Sequence, residues 1–166
     1  MPNRLALAQQ ARLAPTREYG FGQMCHHTVL EWLVKAGFGN KKDVLKVLMP
    51  KKGQCPVNPA TICSRVLVRR TDTYVDRDTA SVWLEYPGML VGFYQGQVYQ
   101  HSMVTLDGVY LSGTNNGGVG GTLQYDKISW DNLPWSDDGK TVGANNYKIF
   151  VVTPDQFPLR LKQELK

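Results

Sequence analysis

Cys25 is the residue of this chain whose type and position most favour nucleophilic chemistry. It follows a glycine-containing segment, Gly20 to Met24, and lies at the start of a helix predicted over Gln23 to Ala36. A thiol at a helix start lies beside unpaired backbone N–H groups and the positive end of the helix dipole, which lower its pKa. The N–H of Cys25 could also donate to an oxyanion. The alternative is a buried structural cysteine, since cysteine is among the most buried residue types.

A thiolate nucleophile needs a base within hydrogen-bond reach, and His101 is the best placed of the three histidines. His26 and His27 directly follow Cys25, and adjacent helix residues point about 100° apart, so neither ring reaches the sulfur without strain. We expect them to be boundary residues or, at most, substrate contacts, and the same spacing excludes a metal site there. His101 lies within a predicted strand, a rigid element on which a base can be mounted.

The strand after His101 ends in two amides that could orient its ring. If Asp107-Gly108 forms a two-residue turn, the register pairs His101 with Thr114 and places Asn116 on the face that carries His101. Asn115 points to the other face unless a bulge shifts the count. One of these amides is expected to take the ring N–H and fix the tautomer. Taken alone, the histidine also fits a packed strand and the amides fit a turn.

The combination resembles the papain-like cysteine hydrolases, in which a cysteine at the start of an early helix precedes a histidine on a strand and an asparagine after the next strand. The resemblance extends over roughly Gly20 to Gly118. It implies a catalytic triad of Cys25, His101 and either Asn116 or Asn115, which cleaves an amide bond through a thioester intermediate.

Papain-type enzymes carry a glutamine several residues before the nucleophile, where this chain has Tyr19, so Gln23 is the candidate oxyanion donor. The small size is similar to compact bacterial members, namely NlpC/P60-type peptidases and effector proteases or deamidases. These imply an exported effector or toxin that acts on a peptide, a protein or a peptidoglycan cross-bridge, with an immunity or chaperone protein as a further partner. The same chemistry on a glutamine side chain would make a deamidase or a transglutaminase. No cofactor and no metal are expected.

The pattern of the remaining chain predicts an α+β fold in one domain, residues 1–166, with 1–18 and 155–166 peripheral. The resemblance implies a papain-like arrangement, in which the nucleophile helix of an N-terminal helical part packs on a C-terminal antiparallel sheet. Helical spacing and caps predict two further helices, from Lys42 to Met49 and from Pro59 to Val68. Predicted strands cover Gly88 to Tyr94, Gln97 to Leu106, a third from Val109, and Lys148 to Val152, the first three as a meander.

Charge is concentrated in one segment and supports a second class of function. Between Lys35 and Arg70 the only acid is Asp43. The basic residues of this basic segment are Lys35, Lys41, Lys42, Lys46, Lys51, Lys52, Arg65, Arg69 and Arg70. They could be solvated helix faces, or they could dock a non-catalytic module on nucleic acid or another anionic surface. For a hydrolase, nucleic acid is not an expected partner.

The remaining cysteines and the N-terminus bear on location. Three cysteines make a poor disulfide framework, and Cys55 and Cys63 are interpreted as a structural thiol pair or as two core residues. The first residues lack the uninterrupted apolar segment of a secretory signal, and no apolar run is long enough to span a membrane. We expect synthesis in the cytoplasm without a cleavable signal, which is compatible with a specialised secretion system.

Overall fold

The structure, a computed structural model, describes residues 2–50, 52–55 and 57–166. Its helices are α1 (Arg4–Ala11), α2 (Cys25–Lys35), α3 (Lys41–Leu48), α4 (Pro59–Val66), α5 (Ala80–Trp83) and α6 (Gln156–Glu164). Its strands are β1 (Thr73–Val75), β2 (Leu90–Gln95), β3 (Val98–Thr105), β4 (Tyr110–Gly113), β5 (Asp126–Ser129) and β6 (Lys148–Val152). The strands form one open antiparallel sheet in the order β1-β6-β2-β3-β4-β5, so the fold class is α+β.

Local capping signals explain where the predicted helices begin. Asn40 accepts from the backbone N–H of Asp43 at 2.9 Å at the start of α3. Asn58 accepts from the N–H of Ala60 at 2.8 Å, and Pro59 occupies the first position of α4, where its missing N–H costs nothing. The three helices predicted from the sequence are confirmed, with ends that differ by at most two residues from those expected.

The predicted meander is confirmed because β2, β3 and β4 are successive neighbours in the sheet. The connection from β3 to β4 is longer than expected, since Leu106 donates its N–H to the carbonyl of Tyr110 at 2.8 Å. Three residues, 107–109, therefore lie between the last bonded pair of this hairpin instead of the predicted two. Gly108 has a φ of 72°, the left-handed conformation that such a loop readily uses.

This extra loop residue shifts the β3–β4 register by one. Val104 pairs with Ser112, and the expected pairing of His101 with Thr114 is wrong. The two strands pair at Val104 and Thr105 and separate before they reach His101. The edge of β3 that faces β4 is consequently open at the position where the sequence places the base.

Two apolar clusters fill the two faces of the sheet, as the alternation of side chains along each strand requires. The first face packs against the helices. The cluster on this face includes Trp32 and Leu33 of α2 and Val104 of β3. The second face includes Phe93 and Met103 and is covered by the chain around α5 and after β4. Helix α2 thus lies on the first face.

Both terminal segments, expected to be peripheral, contribute to the core. Leu7 of α1 and Phe157 of α6 are fully buried in the first cluster. An ion pair holds α6 in place: Arg160 donates from Nη2 and Nη1 to the two carboxylate oxygens of Asp72 at 2.6 and 2.8 Å, with both side chains 9% exposed. Among the described residues no helix is long and apolar enough to cross a membrane.

Candidate active site around Cys25

Helix α2 begins at Cys25 with a cap that the sequence does not suggest. The backbone N–H of Met24 donates to Nδ1 of His27 at 3.1 Å, so an imidazole takes the part usually played by a glutamate in the first turn. His27 packs against Gly22, whose φ is 143° and where a Cβ would lie 2.3 Å from Nδ1. The glycine before Cys25 therefore makes room for the capping ring.

The loop that precedes α2 is tied to the helix by a buried carboxylate. Glu31 accepts from the backbone N–H groups of Thr16 and Arg17 at 2.8 and 2.7 Å. Arg17 adopts a left-handed conformation and donates from Nη1 and Nη2 to the carbonyls of Gly22 and Gln23 at 3.2 and 3.4 Å. Arg17 is a site residue that the sequence analysis missed, since no motif surrounds it.

The sulfur of Cys25 is buried, with 5% of the residue exposed. It lies 4.0 Å from the carbonyl oxygen of Gln100 on β3. Burial raises the pKa of the thiol to about 11, although hydrogen bonds from the backbone N–H groups of Ser102 and His26 act in the opposite direction. The expected lowering of this pKa by the helix start is therefore wrong for the structure, because desolvation outweighs the helix terminus.

His101 and Asn116 lie together on the second face of the sheet. His101 is 5% exposed, and burial lowers its pKa to about 4, with Asn116 acting in the opposite direction. Asn116 is fully buried and donates from Nδ2 to the carbonyl of Gly113 at 3.0 Å. Nε2 of His101 and Oδ1 of Asn116 are both buried, and neither has a partner at hydrogen-bond geometry in the described chain. One is a nitrogen that can donate and the other is an oxygen that accepts.

The sulfur and the imidazole approach β3 from different sides. Ser102 points to the first face, where α2 packs, and its neighbour His101 points to the second, with its ring 5.2 Å from that of Phe93. The sulfur lies at the open edge of β3, against backbone groups of Gln100 and Ser102 that flank His101. Among the described residues no hydrogen bond joins the sulfur to the imidazole.

His26 has a structural place instead of the boundary or substrate-contact position expected for it. Its ring is fully buried, stacks on Tyr99 at 4.3 Å, and shares a hydrogen bond of 2.7 Å between Nδ1 and Oγ of Ser102. The hydroxyl of Tyr99 bonds to the same Oγ. Burial lowers the pKa of His26 to about 3, and the neighbouring His101 adds to this effect. These contacts fix α2 against β3 and so fix the position of Cys25.

The two remaining candidates lie at the surface beside α2. Asn115 has a φ of 57° and is exposed, and its Nδ2 donates to the carbonyl of Gln23 at 3.4 Å. It does not lie beside His101; Asn116 does. Gln23 contacts Arg17 and Asn115 through its backbone carbonyl, which accepts a hydrogen bond from each of their side chains.

The other thiols and possible metal ligands do not join this site. Cys63 is a fully buried core residue, whereas Cys55 is exposed, so the interpretation of both as core residues or as a thiol pair is wrong for Cys55. Within the described ranges no group of three histidine, cysteine or acidic side chains could hold a metal ion.

Comparison of the chain with models of protein families, with curated proteins and with solved structures found no significant match. The function must therefore be inferred from the geometry of the site itself.

Proposed function

We propose that the protein is a cysteine hydrolase in which Cys25 attacks an amide carbonyl, His101 transfers the proton and Asn116 orients the imidazole. One observation carries this proposal: Nε2 of His101 and Oδ1 of Asn116 are two buried polar atoms without partners in the described chain, and their residues lie side by side at the part of β3 that the sulfur of Cys25 contacts. Buried polar atoms without partners are rare and costly, and a catalytic role is one explanation for them. Three other such atoms, Nε2 of His26, Oγ of Ser112 and Nε1 of Trp130, do not form a donor–acceptor pair with Cys25.

The hydrogen bonding of Asn116 defines which nitrogen of His101 acts as the base. Its Nδ2 is engaged by the carbonyl of Gly113, so its Oδ1 is the atom left to face the imidazole. An amide oxygen only accepts, and Nε2 must therefore carry the proton in the pair. In the neutral ring Nδ1 is then unprotonated, and it is the nitrogen that can take a proton from the thiol.

The reaction follows from these roles. As the bond between the sulfur of Cys25 and the carbonyl carbon forms, the thiol proton moves to Nδ1 of His101. The C–N bond of the substrate then breaks, and the imidazolium returns this proton to the leaving amine. Water attacks the thioester, with His101 as base, and yields a carboxylic acid and the free thiol. The backbone N–H of Cys25 is the oxyanion donor that this geometry offers.

The pKa values favour general-base catalysis over a preformed ion pair. With a thiol pKa of about 11 and an imidazole pKa of about 4, both groups are neutral at pH 7. A neutral imidazole is competent to accept the proton during attack.

Acylation of the thiol by a small activated ester tests the proposal. With para-nitrophenyl acetate, intact and peptide mass spectrometry should find one acetyl group on Cys25, and Cys25→Ala should abolish it. His101→Ala should slow acylation about 100-fold. Asn116→Ala should slow it as well, whereas the matched variant Asn115→Ala should not.

The other two thiols are internal controls in the same sample. Cys55 is exposed, and Cys63 is buried with a pKa raised to about 12 by burial. Acetylation of Cys25 that is no faster than that of Cys63, or that is indifferent to His101→Ala, would refute the proposal.

Peptide hydrolysis and deamidation share the same acyl-enzyme and differ in the leaving group. A peptidase releases a peptide amine from a backbone or cross-bridge amide, whereas a deamidase releases ammonia from a glutamine side chain, and a transglutaminase passes the acyl group to an amine. Mass spectrometry of a candidate substrate separates chain cleavage from conversion of a single amide.

A non-catalytic role is the second candidate, and the burial of Cys25 favours it. In this case the exposed lysines of α3, Lys41, Lys42 and Lys46, would dock the protein on an anionic surface. Lys51 of the same basic segment lies outside the described residues. Retention on heparin that falls steeply with salt and with Lys42→Gln, together with an unreactive Cys25, would support this candidate.

A further inference from the structure

A surface cavity of about 390 Å³ lies beside the start of α2. Its walls come from the loop before α2 and from the chain after β4. The polar residues of its lining are Arg17, Gln23, Thr114, Asn115, Gln124 and Tyr125. Arg17 is the one charged side chain among them, and the other polar groups are amides and hydroxyls. The cavity therefore has a positive charge and neutral hydrogen-bonding groups in its wall.

The guanidinium of Arg17 is half-buried and forms no ion pair among the described residues, although the buried carboxylate of Glu31 is close enough to raise its pKa against the larger effect of burial. Two of its N–H donors bond to the carbonyls of Gly22 and Gln23. Glu31 accepts from the backbone N–H of Arg17, and no carboxylate in the described chain lies within ion-pair distance of the guanidinium. An arginine has five N–H donors in a planar fork, so donors remain for a further acceptor.

The cavity lies beside the segment of chain that leads into Cys25. Gln23 lines it, and Arg17 bonds to the two residues, Gly22 and Gln23, that come just before Met24 and the nucleophile. Thr114, also in the wall, shares a hydrogen bond of 2.9 Å with Thr28 in the first turns of α2. A ligand in this cavity therefore lies next to the helix start that carries the thiol.

We propose that this cavity binds a carboxylate of the substrate and that Arg17 is the residue that recognises it. The proposal rests on the proposed function for the assignment of Cys25 as nucleophile. The substrate is then an amide whose residue beside the scissile bond carries a carboxylate, such as an acidic side chain or a free terminal carboxyl group. Arg17 supplies a fork of N–H donors for the carboxylate, and Asn115 and Gln124 supply neutral donors around it.

Two alkylating reagents of nearly equal size, one anionic and one neutral, test this inference. Iodoacetate carries a carboxylate and iodoacetamide an amide, and the uncharged thiol N-acetylcysteine amide in the same vessel corrects for their intrinsic rates. The ratio of iodoacetate to iodoacetamide labelling at Cys25 should exceed that of N-acetylcysteine amide by at least about threefold at low salt. Arg17→Gln should remove this excess.

Arg77→Gln is the matched control, because Arg77 is exposed and lies outside the cavity. It should leave the ratio unchanged. A ratio equal to that of N-acetylcysteine amide, or one that persists in Arg17→Gln, overturns the inference. His101→Ala should slow both reagents equally and keep the ratio, which separates a failure of the catalytic proposal from a failure of this one.

A binding measurement covers the case in which neither reagent reaches the sulfur. Titration of N-acetylglutamate into the full chain, followed by NMR, should shift the side-chain amide signals of Gln23, Asn115 and Gln124, and N-acetylglutamine should shift them less. Arg17→Gln should weaken the binding of N-acetylglutamate about tenfold. Absence of these shifts overturns the inference, whereas their presence with an unreactive thiol overturns the catalytic proposal alone.

Discussion

Two buried histidines make the stability of this protein depend on pH in a range where most proteins are insensitive. Burial lowers the pKa of His101 from its ordinary 6.5 to about 4 and that of His26 to about 3. The folded pKa values are below the unfolded ones, so the unfolded chain binds more protons between about pH 7 and the folded pKa values of about 4 and 3. Stability is therefore complete above pH 7 and is lost as the pH falls through 6.5 toward the folded values.

The size of this loss follows from the two shifts. At pH 5 the unfolded chain carries nearly two more protons than the folded one at these positions, which corresponds to about 2 kcal/mol for each histidine and about 4 kcal/mol together. The slope there is about 2.5 kcal/mol per pH unit. A typical domain has only about 5–15 kcal/mol of stability, so this effect is a large part of the total.

Other titrating groups act in the same direction or at lower pH. Burial also lowers the pKa of His27, so its contribution has the same sign. The shifted carboxyl groups of Glu18, Asp76 and Asp138 have pKa values below their ordinary range, because of hydrogen bonds to neighbouring groups. They stay ionised at pH 5 in the folded chain. The fall in stability between pH 7 and pH 5 is therefore due mainly to protonation of the imidazoles in the unfolded chain.

Urea unfolding at a series of pH values from 7.5 to 5 measures this slope, and NMR of the imidazole protons measures the folded pKa values directly. The variants His26→Gln and His101→Gln should each remove about half of the pH dependence. Stability that changes by less than about 1 kcal/mol over this range, or imidazole signals that titrate near the ordinary value, would refute the reasoning. Such a result would also remove the neutral, buried imidazole on which the proposed mechanism depends.

Two further substitutions test how the site and the core are held. Gly22→Ala should destabilise the fold by about 1–3 kcal/mol in urea unfolding, because its φ of 143° and the ring of His27, 2.3 Å from a Cβ, both oppose a side chain. Gly117→Ala is the matched control, since a Cβ there meets no atom within 4 Å, and equal losses for the two would contradict the argument. Asp72→Asn should cost about 3 kcal/mol because it leaves the buried guanidinium of Arg160 without its counter-charge, and a loss below about 1 kcal/mol would show that the pair is not effectively buried.

The helices that the sequence predicted are those whose signals are local. Asn40 and Asn58 cap the chain at α3 and α4, and Pro59 fits only the first turn, so each helix start is determined within a few residues. Helix α6 was not predicted, and it contains Pro158 in its first turn, a position where proline is tolerated. What holds α6 is the ion pair between Arg160 and Asp72, which are far apart in the chain.

The sequence predicted which segments form neighbouring strands better than it predicted the register between them. The sequence Asp107-Gly108 suggested a two-residue turn, and the chain uses three residues instead. Such a change moves every pair by one position. Asn116 nevertheless lies beside His101, because β4 ends at Gly113 and the chain continues through a left-handed Asn115 into a short 3₁₀ helix.

The residue types at the site could be read from the sequence, because a cysteine at a helix start and a histidine in a strand are local patterns. The environment of these residues could not. The helix terminus acts on the thiol over one turn of backbone, whereas desolvation depends on every atom that the fold packs around the sulfur, from α2, β3 and the preceding loop. The second effect is the larger one here, so tertiary structure reversed the direction of the pKa shift of Cys25. It also brought Arg17 beside the site, a residue that only the folding of its loop onto Glu31 places there.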